Sequence, residues 1–289
     1  MAQVLATRID REVMQALSRA GSPIHSAAYV GNVEALRREL DRGVSANVTI
    51  NEPIAEDNGL TPLHLLITRW LDLGAPARVA CFELLRAAGA DMDVATADQG
   101  VMPLHYAAVD FNAEGISLLL EAGADPNPTS GHNDIKPIHF LAVLPAILEK
   151  VNNPSNPQPT EGDITRCISL LVQAGAAVDA RTSDGLTPLE HAVYHGCRIT
   201  WAGLLRAGAV IPSNLADRDP YLRRVRAAGG YAAYRRRHLD RLTRMFTAPP
   251  VPNDGRRRSR RLHRRGGLER LPPEIVMRVV EFWAHVGHY

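Results

Sequence analysis

Histidine, cysteine and arginine carry what chemistry this chain of 289 residues has to offer. Four of its eleven histidines, His25, His64, His105 and His139, each follow a proline by two positions. Imidazoles in such number raise the question of metal ligation. These four are spaced by a repeating unit, one to each unit, so they do not converge on one point, and a structural role follows. Cys81 and Cys167 stand eight residues before Gly89 and Gly175, where other units have Ala35, Gly115 and Thr200. A position shared by Cys, Ala, Gly and Thr is a small packing site, not a reactive thiol or zinc ligand. Cys197 stands alone and reads as buried. The sequence holds no phosphate loop, nucleophile elbow or clustered acid–base pair, so the reading is a non-enzyme with no cofactor and no metal.

The elements that position these residues are repeats. Ser22-Pro23-Ile24-His25, Thr61-Pro62-Leu63-His64, Met102-Pro103-Leu104-His105, Lys136-Pro137-Ile138-His139 and Thr187-Pro188-Leu189-Glu190 align on the proline. Glycines follow at Gly43, Gly89, Gly123, Gly175 and Gly208, at separations of 20, 27, 20, 38 and 20. From glycine to the next proline the distances are 19, 14, 14 and 13, which gives a core unit of 33 residues with three insertions. Ser or Thr before Pro can cap a helix, and Pro at the first helical position has a preset φ and lacks a donor that would be orphaned there. Leu or Ile next begins a buried face, and the later glycine takes the left-handed conformation that ends a second helix. That second helix is apolar seven residues before the glycine in all five units: Leu36, Phe82, Ile116, Ile168 and Trp201. Leu85, Leu119, Leu171 and Leu204 lie four before it, on the same face.

Asp184-Gly185-Leu186-Thr187-Pro188-Leu189 and Glu121-Ala122-Gly123-Ala124-Asp125-Pro126-Asn127 closely resemble the pattern of the ankyrin repeat, over about residues 21 to 212. The resemblance implies an all-α ankyrin solenoid of about five repeats that binds proteins. It also implies that the motif histidines bond to backbone in a neighbouring repeat. Asp57-Asn58-Gly59, Asp98-Gln99-Gly100 and Asp184-Gly185 read as projecting turn tips that would face a target. The first unit is degenerate, with Arg38 and Glu39 where Leu-Leu is usual, and residues 1–20 are expected to form an N-terminal capping helix. Glu190 replaces the histidine in the last unit, as suits a terminal repeat. About six extra residues fall near Thr49 to Glu56, seven near Leu71 to Arg78, and eighteen near Val151 to Asp163. Within the last, Asn152 to Pro159 holds Pro154, Pro157 and Pro159 and is expected to be a mobile loop, not helix.

At 45% hydrophobic the chain can bury a core, and at 5% aromatic it suits close-packed helices better than a β-sandwich. The net charge of +2 hides an asymmetry, since residues 218–265 hold sixteen Arg and three Asp. Residues 213–247 read as a helical neck, broken at Gly229-Gly230, and 248–267 as a Pro/Arg-rich linker. Arg256, Arg257, Arg258, Arg260 and Arg261 form the densest run. A nuclear-import signal, contact with an anionic surface, and a solvated tether are its three readings. No aromatic residue interleaves with the run, which counts against single-strand binding there, and nucleic acid is not among the expected partners. An odd cysteine count favours a reducing compartment. Without an apolar leader or an 18-residue apolar run, the expected location is cytoplasm or nucleus, with no membrane contact.

Residues 268–289 carry a second signature. Leu271-Pro272-Pro273-Glu274-Ile275 opens a short helix whose Ile275, Val279, Phe282 and Trp283 share one apolar face. A helix this short needs a partner or its own chain to dock on. The pattern Leu-Pro-x-Glu-Ile-x-x-x-Val-Val-x-x-Trp resembles the first helix of an F-box. An ankyrin array followed by a truncated F-box-like segment resembles the poxviral ankyrin proteins whose C-terminal box is called PRANC. That resemblance implies a substrate-recognition adaptor. The repeats would bind an unknown target, and Leu271, Pro272, Glu274, Ile275, Val279, Phe282 and Trp283 would recruit the Skp adaptor and cullin of a host ubiquitin ligase. It further implies a viral protein acting against innate immune signalling. Two alternatives stand beside it: a SOCS-box adaptor, disfavoured because no cysteine lies beyond Cys197, and a plain ankyrin scaffold or inhibitor.

Overall fold

The computed structural model describes residues 22–48, 59–68, 74–97, 99–131, 133–151 and 159–247, with backbone alone at 75, 149–151 and 242–247. Among these are thirteen helices and no strand, and one isolated bridge pairs Ser130 with Ile135. The chain divides into a unit ending at Val210 and a unit beginning at Ile211.

In the first unit, five helical pairs follow one another. They are α1 (Pro23–Val30) with α2 (Val33–Asp41), α3 (Pro62–Thr68) with α4 (Ala75–Ala87), α5 (Pro103–Val109) with α6 (Ala113–Glu121), α7 (Pro137–Val151) with α8 (Glu161–Gln173), and α9 (Pro188–Tyr194) with α10 (Arg198–Arg206). Each first helix starts at its repeat proline. First helices pack on first helices, α1 on α3, α3 on α5, α5 on α7 and α7 on α9. Second helices make the other layer, α2 on α4, α6 on α8 and α8 on α10. The residue after each proline (Ile24, Leu63, Leu104, Ile138, Leu189) is buried between the layers, as are Leu36, Phe82, Ile116, Ile168 and Trp201 from the second helices. Each such side chain contributes about 1.5–3 kcal/mol on leaving water. The five repeat glycines end their second helices at φ values from 79° to 101°, where a Cβ would be strained.

Three details depart from the expected unit. The Ser22 hydroxyl does not cap α1; it lies 2.6 Å from Nδ1 of His25. The turn between α5 and α6 puts Phe111 at φ 52°, where α1 and α9 are followed by Gly31 and Gly196 at 71° and 73°. A phenylalanine held there is strained. Of the insertions, finally, the one near Thr49 to Glu56 and the stretch 152–158 lie outside the described residues, and the described ends of the other two carry helix. α4 begins at Ala75, and α7 runs on to Val151 through an internal Pro145, its buried Leu141 and Ala142 continuing into buried Pro145 and Ala146. α8 starts early because Thr160 and Asp163 form a capping box: Asp163 N–H donates to Thr160 Oγ1 at 3.2 Å, and Thr160 N–H to Asp163 Oδ2 at 3.1 Å. The added turns also brace neighbouring units, with Arg78 of α4 2.6 Å from Glu114 of α6 and Glu161 of α8 3.7 Å from Arg206 of α10.

The second unit comprises α11 (Ser213–Arg218), α12 (Pro220–Ala227) and α13 (Tyr231–Thr247). Asp219 caps α12, accepting from the amides of Tyr221 at 2.7 Å and Leu222 at 3.2 Å. Arg223 donates to the carbonyls of Ala216 and Asp217 at the end of α11. Leu222 and Val225 are buried, and Gly229-Gly230 separates α12 from α13 at positive φ.

Candidate protein-interaction surface

Two ladders of polar contacts align the five repeats, and they fix the surfaces left over for a partner. The first is built on the motif histidines, all buried. Nε2 of His25, His64, His105 and His139 reaches the carbonyls of Leu60, Val101, Ile135 and Ala180 in the next repeat, at 3.1, 3.3, 3.2 and 3.1 Å. Nδ1 faces its own helix start. It accepts from the amides of Thr61, Met102 and Lys136 at 3.2, 3.1 and 3.2 Å in the second, third and fourth units. An Nδ1 that accepts and an Nε2 that donates define the neutral imidazole. Burial lowers all four histidines to about 4, only partly offset by the carbonyls they bond. With both nitrogens engaged, none has a lone pair to offer a metal, and no cluster suited to a metal ion occurs among the described residues.

Glu190 shows what the last repeat keeps. Its Oε2 accepts from Thr187 N–H at 2.9 Å, the task Nδ1 performs elsewhere, and Thr187 Oγ1 accepts from Glu190 N–H at 3.2 Å. A carboxylate has no counterpart of the Nε2 donor. Glu190 instead lies 3.4 Å from Arg181.

The second ladder lies four residues after each repeat glycine, at Asn47, Asp93, Asn127 and Asp179. Their side-chain oxygens accept from the amides of Asp91, Asp125, Ala177 and Val210 in the next unit, at 2.6, 2.9, 2.8 and 3.0 Å. The two asparagines also donate to the carbonyls of Gly89 and Gly175, both at 2.9 Å. Burial, followed by the neighbouring carboxylates of Asp125 and Asp91, raises Asp93, while its bond from the Asp125 amide works against this. Sequence reading quoted Asn127 within the repeat pattern but gave it no role. The available signal was an Asn or Asp at a constant offset from glycine in four successive units.

The finger turns and the outer side of the first-helix layer are two exposed surfaces of the array. Gln99 is exposed in its turn, and its carbonyl accepts from Gly131 N–H of the next finger at 2.6 Å. Asp184 is exposed beside Gly185, and the neighbouring Ser183 N–H donates to Asn133 O at 3.1 Å. The turn residues Asp57, Asn58 and Asp98 lie outside the described residues. So do the run from Arg256 to Arg261 and the segment from Leu271 to Trp283. On the first helices, the third residue after proline is half-buried Ser26, Tyr106, Phe140 and His191 in four units and buried Leu65 in the second. Each ring here meets the motif histidine before it edge-on: His64 with Tyr106 at 5.6 Å, His105 with Phe140 at 6.0 Å, and His139 with His191 at 5.7 Å. The stripe ends at Tyr194, which is 78% exposed and rests edge-on against His195, itself stacked on His191. A row of half-buried rings closing on an exposed tyrosine is the composition that anchors protein interfaces.

The thiols stand apart from this surface. Cys81, Cys167 and Cys197 are buried and in no disulfide, and burial pushes Cys81 up to about 11 and Cys167 up to about 12. The hydroxyl of Thr200, at the same repeat position as Cys81 and Cys167, is shared between Cys197 O at 2.9 Å and Ala142 O of α7 at 3.2 Å. Among the described residues no helix is long and apolar enough to cross a membrane.

No curated protein matches the chain. Residues 24–130 match the family model for ankyrin repeats, in three copies, and with helical pairs continuing through Arg206 the chain carries an all-α ankyrin-type array, a protein–protein interaction module.

Proposed function

We propose that the chain is a substrate receptor. The ankyrin array holds a target protein, and residues 268–289 bring in the Skp adaptor and cullin of a ubiquitin ligase. Target binding falls to the finger turns that carry Gln99 and Asp184 and to the ring stripe from Tyr106 through Phe140 and His191 to Tyr194. Recruitment falls to Leu271, Pro272, Glu274, Ile275, Val279, Phe282 and Trp283. The observation that carries the reading is order: a Leu-Pro-x-Glu-Ile helix signature follows an ankyrin array and a charged linker. In this reading the chain is viral, performs no chemistry itself, and diverts host ubiquitination against innate immune signalling.

The test is capture from cell lysate with the full chain and with a version ending at Gly267, probed for Skp adaptor, elongin and each cullin. The full chain is expected to retain Skp adaptor and one cullin, and the shortened version to lose both. Elongin in place of Skp adaptor would replace this reading with the SOCS-box type. No cullin on either version would overturn it and leave an ankyrin scaffold or inhibitor.

A further inference from the structure

We propose that α12 and α13 form a binding surface for single-stranded nucleic acid, in which a row of aromatic rings lies within a field of arginines. In sequence the site lies after the ankyrin repeats and before the arginine run at 256–261. Residues 211–241 contain eight arginines and three aspartates, with no lysine or glutamate. One aspartate, Asp219, is committed to the α12 amides, and one arginine, Arg223, to the carbonyls of Ala216 and Asp217. Arg226, Arg235, Arg236, Arg237 and Arg241 meet no carboxylate among the described residues, and all but Arg235 are exposed. Arg224 spends its Nε on Pro220 O, which leaves its terminal nitrogens. Arg237 and Arg241, four apart, share one side of α13.

The rings are what separate this surface from a solvated charge run. Tyr221 of α12 meets Tyr234 of α13 edge-on at 5.6 Å, and Tyr234 stacks on His238 at 5.8 Å with planes 8° apart. All three are half-buried, so ring surface remains at the solvent boundary. Arginines of both helices converge there: burial and then the charges of Arg241 and Arg224 lower His238. Both causes favour its neutral imidazole, a stacking surface among cations. Cationic side chains that follow a phosphate backbone, together with rings on which bases can stack, make up a single-strand platform. Phosphates would supply the missing anions. An acidic peptide would satisfy the arginines but has no use for the stacked rings, which is why nucleic acid is the occupant we infer.

The experiment uses the full chain and a fluorescent single-stranded RNA 20-mer, followed by anisotropy across a salt series. Three companion probes are an abasic oligonucleotide of equal length, polyglutamate, and vesicles rich in phosphatidylserine. Binding to the 20-mer is expected, with affinity falling steeply with salt. Replacing Arg224, Arg237 and Arg241 together by glutamine should weaken it about tenfold or more and flatten the salt slope by about two. The abasic strand should bind about fivefold or more weakly, the worth of one lost stacking contact. A second variant, with glutamine at Arg256, Arg257, Arg258, Arg260 and Arg261, separates this site from the linker run and should keep most of the affinity. Arg224, Arg237 and Arg241 are exposed, and an unchanged circular dichroism spectrum checks the folding of both variants. The proposal is overturned by absence of RNA binding at 50 mM salt. It is equally overturned if the abasic strand, polyglutamate or vesicles bind as tightly as RNA, or if only the linker variant abolishes binding.

Discussion

Acid should dismantle the ankyrin array at a pH where most helical proteins are unaffected. The perturbation is a fall from pH 7.5 to 5. His25, His64, His105 and His139 titrate near 4 in the folded chain, and an exposed histidine titrates near 6.5. Between those values the unfolded chain binds protons that the folded chain refuses, so stability falls as pH falls; above 6.5 the contribution is complete. Each histidine then costs about 0.8 kcal/mol at pH 6 and about 2 kcal/mol at pH 5. Four together cost about 3 and about 8 kcal/mol, the latter comparable with the whole stability of a typical domain. The structural reason is that a proton on Nδ1 would confront the backbone N–H of Thr61, Met102 or Lys136. Urea unfolding followed by circular dichroism at pH 7.5, 6.5, 6 and 5.5 measures the slope, staying above the range where carboxylates titrate. Imidazole NMR resonances provide the site-by-site check. A free energy that is flat from pH 7.5 to 5.5, or four motif imidazoles titrating near 6.5, would refute the reasoning. Replacing His139 by glutamine should remove one histidine's share of the slope and leave the other three.

Three further outcomes follow from named contacts. Gly115→Ala should destabilise the array by about 1–2 kcal/mol in urea unfolding, despite better helix propensity. Its Cβ would lie 2.4 Å from Nδ2 of Asn112, the buried cap of α6, whereas exposed Asn32 accommodates Ala35 at the same position in α2. Asp93→Asn should stabilise by about 0.5–1 kcal/mol at pH 7. It removes a carboxylate crowded by Asp125 and Asp91, and by analogy with Asn47 and Asn127 it supplies a donor for the Gly123 carbonyl. A thiol reagent such as DTNB at pH 8 should label native protein slowly and release three equivalents on denaturation, because all three cysteines are buried; rapid native labelling of Cys81 or Cys167 would contradict their packing role.

What could be read from the sequence was whatever a residue does within its own unit. Proline at a helix start, glycine at a helix end and an apolar residue seven before it act over a few positions, and five copies made the pattern plain. What crosses between units was harder to read. Asn47 and Asn127 bind amides 44 and 50 residues onward, and the alternation of Asn with Asp disguised a single role. The length of α7 and the early start of α8 were not read, since a proline such as Pro145 ordinarily interrupts a helix and the capping box of Thr160 and Asp163 adjoins a proline-rich stretch. The turn residues Gln99 and Asp184 were chosen for exposure, which they have, but exposure says nothing of what they meet.

Glu190 brings the two kinds of information together. As a sequence feature it was an exception to the histidine series, explained only by its place near the end of the repeats. In the structure it divides the histidine's work into two parts. The inward part, accepting the amide that opens the helix, depends only on an oxygen or nitrogen lone pair at the third helical position, and glutamate supplies it at 2.9 Å. The outward part, donating to the next finger, needs an N–H, and glutamate gives it up. Glutamate thus keeps the local bond of the series and lacks the long-range one. Restoring histidine at 190 should therefore leave helix α9 intact and add one more buried imidazole to the acid-sensitive set, with no gain in stability at pH 7.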